Sequence, residues 1–519
     1  MSKKTKTELS DIWRKYEQIK EQHMIDNIDE NVKMCFRFYE GDQWYGVEKS
    51  GERLPKYNFI KPTVDYKIAM VAKNNLDIIY SPPSDKDTIK NEIYTAVCEN
   101  FNNLAKSKWE KNKMESKLWE IAKKSCISGD SYLFFYNSSL DSQIINKENI
   151  YFADESLPDI QKQPYIIIYE RRNVDDVKKE ALKNGIPKDK LNLIVADDDE
   201  YENDKEHIKN DNSMCTSLLY MYKKNGNVCY LKAVRNLIYC EDTQINGLSL
   251  YPIASFLWTQ KYNSSRGIGE VYEMIPNQIS TNALLVRREI NNKMTGYAKP
   301  VYNSDYIENP ESISKIGTSI KINGPAATNI SDVFGYVSPA PMSGEAKQLQ
   351  EEIILLSQQL GGSGRLITND INPEKASGAS IVAAQEQASI PLSENSAFFR
   401  QFVEDVAKIW LNMWIVYNPD GMSVEYEKDG RKLSYVIPQH ILLNMQFNVK
   451  IDISPINPFS KYAREQALEN ALDKNYITFE EFVELLDDDS TTPKGKFESI
   501  IKRRKMLGVE SDFDKRIER

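Results

Sequence analysis

Apolar positions recur with helical spacing along residues 344 to 360. The apolar members lie three or four residues apart: Ala346, Leu349, Ile353, Leu356 and Leu360. This spacing predicts an amphipathic helix with one narrow apolar stripe. The polar members are expected to face water: Lys347, Gln348, Gln350, Glu351 and Gln358. A stripe of this kind needs a neighbouring element to cover it.

A glycine-rich loop follows this helix and leads into a second, longer one. The loop begins with Gly361, Gly362, Ser363 and Gly364. These residues are predicted to end the helix, because glycine enters left-handed backbone without steric cost. No periodic apolar pattern returns before Ser377, and a helix is then predicted over about 378 to 417, kinked at Pro391. Its buried stripe is predicted to be Phe399, Phe402, Val406, Ile409, Trp410 and Met413.

Residues 271 to 295 predict another long helix, of about 25 residues and roughly 37 Å. Its apolar stripe consists of Ile275, Ile279, Ala283, Val286, Ile290 and Met294. Its other faces are polar, with one side expected toward water, and carry Asn277, Gln278, Asn282, Arg287, Arg288 and Lys293. The segment between the two stripe-bearing helices is rich in proline, glycine and short strand-like runs, which predicts a small β-rich excursion over 297 to 343.

The rest of the chain mixes helices and strands, which predicts the α+β class. Helices are expected over 8 to 40, 60 to 74 and 89 to 126, and strands over 132 to 136 and 165 to 169. Asn225-Gly226 and Asp429-Gly430 each lie between strand-like runs and predict two β-hairpins. A strand near 446 to 453 precedes a predicted helical C-terminal region.

Composition narrows the class of protein. The 519 residues are 41% hydrophobic, and no run approaches the roughly 20 apolar residues that span a bilayer, so we expect a soluble, unsecreted protein without membrane contact. The net charge of -9 weighs against a surface that grips nucleic acid throughout, since phosphate binding depends on concentrated lysine and arginine. Six cysteines without CxxC pairs predict free thiols.

Catalytic motifs are missing from the sequence. There is no GxxxxGK[ST] phosphate loop and no HExxH, and the three histidines are dispersed. The acidic runs at 197 to 200 and 487 to 489 lack the alternating oxygen spacing of a calcium loop. We therefore expect no enzyme activity, no cofactor and no metal site.

Four sequence segments occur in a characteristic order: Tyr39-Glu40-Gly41-Asp42 with 58 to 65, Ser128-Gly129-Asp130-Ser131-Tyr132-Leu133, the helix entry at 267 to 295, and Gly361 to Trp414. These segments and their order resemble the portal, or head-to-tail connector, proteins of tailed double-stranded DNA bacteriophages. Each motif is weak alone, whereas their order and spacing together are specific. The resemblance covers nearly the whole chain.

The resemblance implies a dodecameric ring at one capsid vertex and a division of the chain. The implied regions are a wing (1-270 and 379-454), stem helices (271-296 and 344-360), a clip (297-343), a tunnel loop (361-378) and a crown (455-519). Subunits would pack through Ile275, Ile279, Val286, Ile290, Leu349, Ile353, Leu356 and Leu360. The tunnel loop would meet DNA through Gly361, Gly362, Ser363, Gly364, Arg365 and Lys375.

The resemblance also implies partners and a location. Double-stranded DNA would pass through the ring during packaging and ejection, and the clip would dock the terminase large subunit and later the head-tail adaptor proteins. Major capsid and scaffold proteins would surround the ring, first in the host bacterial cytoplasm and then in the virion. Two other functions stay open on the sequence: a metal-dependent viral nuclease using clustered acids, and a non-viral oligomeric scaffold.

Overall fold

The computed structural model has the predicted α+β fold, built around one large core. It describes residues 3–47, 54–72, 75–82, 88–197, 214–296, 299–315, 317–324, 329–337, 344–360, 390–428, 431–445, 447–454, 468–474, 476–486 and 494–506. Five helices precede the first large sheet: α1 (Lys3–Ile25), α2 (Ile28–Glu40), α3 (Ile60–Ala72), α4 (Thr88–Lys111) and α5 (Met114–Ser128). Strand β1 (Asn75–Ser81) lies between α3 and α4.

Two of the predicted helices are each divided in two. The helix expected over 8 to 40 breaks before α2 because Asn27 adopts a left-handed φ of 51°, and the one expected over 89 to 126 breaks before α5 because Lys113 has the same φ. Asn112, beside the second break, donates from Nδ2 to the Leu140 carbonyl at 2.8 Å. Each break lets the chain turn back on the core.

Two antiparallel sheets contribute residues to the large core. The first has the order β3-β2-β9 and consists of β2 (Asp130–Phe135), β3 (Ser142–Asn146) and β9 (Ile253–Leu257). The second runs in sequence order and consists of β4 (Ile150–Phe152), β5 (Tyr165–Asn173), β6 (Met214–Lys224), β7 (Asn227–Val234) and β8 (Leu237–Gln244). The β6–β7 turn confirms the Asn225-Gly226 hairpin, with both residues at positive φ.

The five-stranded sheet is covered on both faces. Helix α1 packs Leu9, Ile12, Trp13 and Tyr16 against one face. The opposite face meets the main core and helix α6 (Val174–Lys183), which contributes Val174, Val177 and Ala181 to a smaller cluster. Burial on alternate sides follows from the period of two along each strand.

Helix α7 (Glu270–Gly296) follows the short strands β10 (Thr259–Gln260) and β11 (Gly267–Ile268). The excursion after it contains a two-stranded sheet of β12 (Lys299–Tyr302) and β13 (Phe334–Val337), with helix α8 (Ile330–Val333) just before β13. Helix α9 (Gly344–Leu360) then returns along α7. The two predicted long helices and the β-rich segment between them are thus confirmed as elements.

The C-terminal half completes the core. A 3₁₀ turn at Ile390–Leu392 contains Pro391 and leads into α10 (Ser393–Tyr417), whose predicted stripe is buried throughout. The part of this helix predicted over 378 to 389 lies outside the described residues. Strands β14 (Met422–Lys428) and β15 (Arg431–Ile437) pair as the second hairpin, and α11 (Gln439–Asn444) precedes β16 (Asn448–Ser454), which pairs with β1. Two further helices, α12 (Phe479–Leu485) and α13 (Lys494–Met506), form a small cluster near the C-terminus.

Candidate subunit interface

Buried groups hold the first residue of helix α7. We call the entry to this helix, from Gly267 to Glu270, its root. The first residue of α7, Glu270, accepts from Nζ of the buried Lys67 at 2.7 Å and from Nε1 of the buried Trp258 at 2.9 Å. A carboxylate at a helix N-terminus also faces the positive end of the helix dipole. The direction in which α7 leaves the body is therefore set by buried groups.

A buried polar network fixes the third and fourth turns of α7. The Gln278 amide donates to the Tyr57 carbonyl at 2.7 Å and accepts from the Phe59 backbone N–H at 3.2 Å. Asn282 donates from Nδ2 to Oε1 of Gln43 at 2.6 Å. Gln278 and Asn282 are almost fully buried, so they do not lie on the side expected toward water. They are buried because the 43 to 59 segment supplies matching donors and acceptors.

Helix α9 packs along α7 through polar contacts as well. Arg288 donates from Nη1 to Oε1 of Gln350 at 2.6 Å, and Asn277 donates from Nδ2 to Oγ of Ser357 at 3.0 Å. Gln350 and Ser357 are buried by this contact. The prediction that Gln350 faces water is therefore wrong. The side of α9 that carries Gln350 and Ser357 packs against α7, whereas the more apolar side of α9 does not.

Parts of the predicted apolar stripes of both helices stay uncovered. On α7, Ile279 is 52%, Ile290 48% and Met294 46% exposed; we call these three residues the α7 stripe. On α9, Leu349 is 49% and Leu356 46% exposed; these two form the α9 stripe.

The remaining predicted packing residues differ in environment. Ile275 belongs to the chain's own core, whereas Val286 and Ile353 are partly buried. The side chain of Leu360 lies outside the described residues. Half-exposed apolar residues that recur along one side of a long helix make that side a candidate interaction surface.

The two stripes face different directions. At about 100° per residue, the α7 stripe lies about 150° around the helix axis from Asn277 and Arg288, which contact α9. The α9 stripe lies about 100° from Gln350 and Ser357 by the same rule. One helix pair thus presents two separate apolar surfaces, and neither can cover the other within the same chain.

A buried ionic cluster lies immediately before α7. Its members are His23, Asp130, Lys147, Glu155 and Arg266, hereafter the Arg266 cluster. The Arg266 guanidinium contacts the Glu155 carboxylate at 2.8 Å and the Asp130 carboxylate at 3.5 Å. Lys147 lies 2.8 Å from Asp130, and the His23 ring nitrogen lies 2.9 Å from Glu155. The cluster joins α1, β2, the β3–β4 connection and the root of α7.

The carboxyl groups in this cluster are held in the charged form. Burial alone would raise the pKa of Asp130, but Lys147 and Arg266 together outweigh it, so the pKa is lowered. Burial alone would also raise the pKa of Glu155, but its contacts with His23 and Arg266 lower that pKa to about 2. Both groups therefore stabilise the fold as anions.

We expect acid to weaken this cluster. A carboxyl group with a depressed folded pKa stabilises the fold above its unfolded pKa, and that contribution is lost as the pH falls through the folded pKa. The free energy of unfolding should decline between about pH 5 and pH 2, with about 3 kcal/mol of the loss due to Glu155. Denaturant titrations across that range measure it. Glu155→Gln should be less stable at neutral pH and show a shallower decline; an equally steep decline in the variant would contradict this role.

Three glycines allow the chain to cross itself at the same place. A Cβ atom on Gly267 would lie 2.2 Å from the Gly129 carbonyl oxygen, and one on Gly129 would lie 2.3 Å from the Gly267 oxygen. Gly269 is similarly close to the Ile127 carbonyl. The Asp130 carboxylate accepts the Gly267 backbone N–H at 3.0 Å. No side chain fits at this crossing, which places the start of α7 against the end of α5.

Several motifs singled out in the sequence meet around this root. Tyr39 donates its hydroxyl proton to Asp65 at 2.6 Å, and Asn58 donates from Nδ2 to the Tyr39 carbonyl at 3.1 Å. The Ser128-Gly129-Asp130 segment supplies the glycine crossing and one acid of the Arg266 cluster. Sequence reasoning missed the roles of His23, Glu155 and Arg266, which belong to no recognisable motif.

The predicted DNA-contacting residues, Gly361, Gly362, Ser363, Gly364, Arg365 and Lys375, lie outside the described residues. Across the described ranges, no group of three or more His, Cys, Asp or Glu residues is placed to hold a metal ion. Within those same ranges, no helix has the length and apolar character needed to cross a membrane.

Comparison with known proteins finds similarity in solved structures alone. No family model matches the chain, and no curated protein matches it. A chain of the virion of a native gene transfer agent particle is 9% identical, with a TM-score of 0.36, covering 82% of this chain and 88% of that one. A chain from the neck of the empty particle, computed with C6 symmetry, is 11% identical, with a TM-score of 0.34, covering 82% of this chain and 88% of that one. A chain from the neck of the native particle, computed with C12 symmetry, is 11% identical, with a TM-score of 0.31, covering 83% of this chain and 89% of that one.

Proposed function

We propose that this chain is a portal protein, which forms a dodecameric ring at one capsid vertex and surrounds the channel for double-stranded DNA. The observation that carries the proposal is the α7–α9 pair, which is anchored by buried polar groups at one end and exposes two apolar stripes along its length. The sequence resemblance of the motifs that meet at its root supports the same function. The role is structural and not enzymatic.

The two stripes suit a ring because they lie on different sides of the helix pair. In a heterologous contact, one surface of a subunit packs on a different surface of the next, and repetition closes a ring when the rotation allows it. The α7 stripe of one subunit would cover the α9 stripe of its neighbour. Each subunit would then bury both of its exposed surfaces.

The regional division is part of the proposal. Residues 1-270 and 379-454 would form the wing, 271-296 and 344-360 the stem, 297-343 the clip, 361-378 the tunnel loop and 455-519 the crown. The clip, including the exposed β12–β13 sheet, would dock the terminase large subunit and then the head-tail adaptors. The wing would face capsid and scaffold proteins.

DNA would pass through the ring without being held tightly. The formal charge of -9 leaves few sites for the counterion release that drives phosphate binding. Arg365 and Lys375 are the cations of the tunnel loop and would touch the passing duplex. The work of packaging would come from a separate ATPase, since the sequence has no phosphate loop.

A single acidic substitution on either stripe should prevent ring formation. Leu356→Asp and Ile279→Asp replace residues that are about half exposed in the single chain, so the chain should still fold. In a ring, each would bury an unpaired carboxylate, at a cost of several kcal/mol per interface. Size-exclusion chromatography with light scattering measures the loss of the ring, and circular dichroism checks the fold.

Gln348→Asp is the matched control. Gln348 is exposed on α9 and lies outside its stripe, so the same new charge should leave the ring intact. Gln350 is unsuitable as a control because it is buried against Arg288. If Leu356→Asp assembles as well as Gln348→Asp, the stripe is not a subunit contact.

A further inference from the structure

A cavity of about 380 Å³ lies between the inner face of the five-stranded sheet and the β2–β3 hairpin with α10. This volume is within the roughly 300 to 1,000 Å³ typical of small-molecule sites. The wall residues are largely apolar and include Phe134, Leu219, Met221, Val228, Met413 and Tyr417. Met221, Val228 and Met413 are at most 2% exposed, so this part of the cavity is deep in the protein.

Charged residues gather at the other end of the cavity. Arg172 of β5 and Lys232 of β7 both contact the Glu180 carboxylate, which lies on α6, and the carboxylate of Glu170 on β5 lines the same cavity. All three side chains are about one quarter exposed, which places them at the mouth. Behind them, the buried Tyr239 hydroxyl lies 2.7 Å from the Ser217 hydroxyl. The cavity is therefore amphipathic, with charged groups at one end and a largely apolar wall beyond them.

Arg172 and Lys232 have more hydrogen-bond donors than the described residues around them accept. Among the described residues, the Arg172 guanidinium bonds through Nη1, to Glu180 and Tyr239, which leaves Nε and Nη2 available. The Lys232 ammonium group has three donors and one of them reaches Glu180. Both Glu180 oxygens are already engaged by these two cations. An acceptor group entering the mouth would find donors that are already positioned.

We propose that this cavity binds a small amphipathic carboxylate, such as a medium-chain fatty acid. Its carboxylate would lie at Arg172 and Lys232, and its apolar chain would extend between Leu219, Met221 and Met413. Charge-assisted bonds to the arginine fork would orient the head group. Burial of the chain would supply most of the affinity, at about 0.8 kcal/mol for each buried CH₂ group. This site is independent of the proposed subunit interface.

Binding of decanoate to the purified full-length protein tests the proposal. Isothermal titration calorimetry below the micelle concentration should show saturable binding of one decanoate per chain. Leu219→Trp should fill the cavity and weaken binding by at least about tenfold. Lys232→Gln should weaken it by about fivefold, because Arg172 still holds the head group. Thermal unfolding of each variant confirms that it is folded.

Matched controls separate the cavity from other apolar surfaces. Tyr222 lies on the opposite face of β6, beside α1, so Tyr222→Trp should leave decanoate binding unchanged. Lys224→Gln removes an exposed charge from the same strand and should also have no effect.

Decylamine, with the same chain and a cationic head, tests the role of Glu170, which also lines the cavity. Decylamine should bind at least about tenfold more weakly than decanoate. The proposal is overturned if decanoate shows no saturable binding, if Leu219→Trp binds it as well as the wild type, or if decylamine binds equally well.

Discussion

Replacing Gly267 with alanine should destabilise the protein by about 3 kcal/mol or more, because the new methyl group would lie 2.2 Å from the Gly129 carbonyl oxygen. Backbone is on both sides of this contact, so no flexible side chain can move away. Relief requires α5 and the root of α7 to separate, which also disturbs the Arg266 cluster. Chemical denaturation, followed by circular dichroism, measures the shift in midpoint.

Gly335→Ala is the matched control for this crossing. Gly335 lies in β13, and a Cβ atom there would have no heavy atom within 4 Å, so the substitution should change stability by less than about 1 kcal/mol. Equal midpoints for the two variants would mean that the chain can relax around Gly267. The crossing would then not determine where α7 begins.

Replacing Arg266 with methionine should cost about 3 to 5 kcal/mol, since it leaves buried carboxylates with fewer partners. Asp130 is fully buried and would retain Lys147, whereas Glu155 would lose its guanidinium partner and keep His23. Methionine preserves most of the apolar length of the side chain, so the effect reports the lost charge. The pKa values of Asp130 and Glu155 should rise in this variant, because Arg266 helps to lower both.

Arg235→Met provides the comparison at an exposed ion pair. Arg235 lies 3.0 Å from Glu17, and both side chains are more than half exposed, so its loss should cost about 1 kcal/mol or less. Denaturation at neutral pH compares the two variants directly. A loss for Arg266→Met no larger than for Arg235→Met would show that the buried cluster contributes no more than a surface pair.

Local patterns in the sequence predict most elements of this fold. The α7, α9 and α10 helices follow from apolar residues at intervals of three and four, and the two hairpins follow from Asn225-Gly226 and Asp429-Gly430. These features depend on neighbouring residues, so the information is local. The breaks at Asn27 and Lys113 were missed because neither residue requires positive φ.

The burial of polar residues on the long helices could not be predicted from the sequence of the same helix alone. Gln278 and Asn282 look like solvent-facing residues by period, yet their partners are Gln43, Tyr57 and Phe59, more than 200 residues away in the chain. Gln350 is buried for the same reason, through Arg288. An amphipathic pattern shows which face is apolar, but it does not show whether another element brings matching polar groups to the opposite face.

The Arg266 cluster is the clearest case of nonlocal information. Its members lie in five separate places in the sequence, from His23 to Arg266, and each looks like an ordinary surface residue beside its neighbours. Folding brings them together because α1, β2 and the root of α7 converge. The Ser128-Gly129-Asp130 segment was a partial signal, since an acid directly after a glycine is the first residue of a buried strand there.

We propose that the α7 and α9 stripes join copies of this chain into a closed ring. Native mass spectrometry of the purified 59.8 kDa chain, over a range of concentrations, tests this proposal. We expect one discrete closed assembly, a dodecamer, that disappears in Leu356→Asp and persists in Gln348→Asp. A chain that stays monomeric at every concentration, even when mixed with its shell and scaffold proteins, would show that the stripes do not join subunits into a ring.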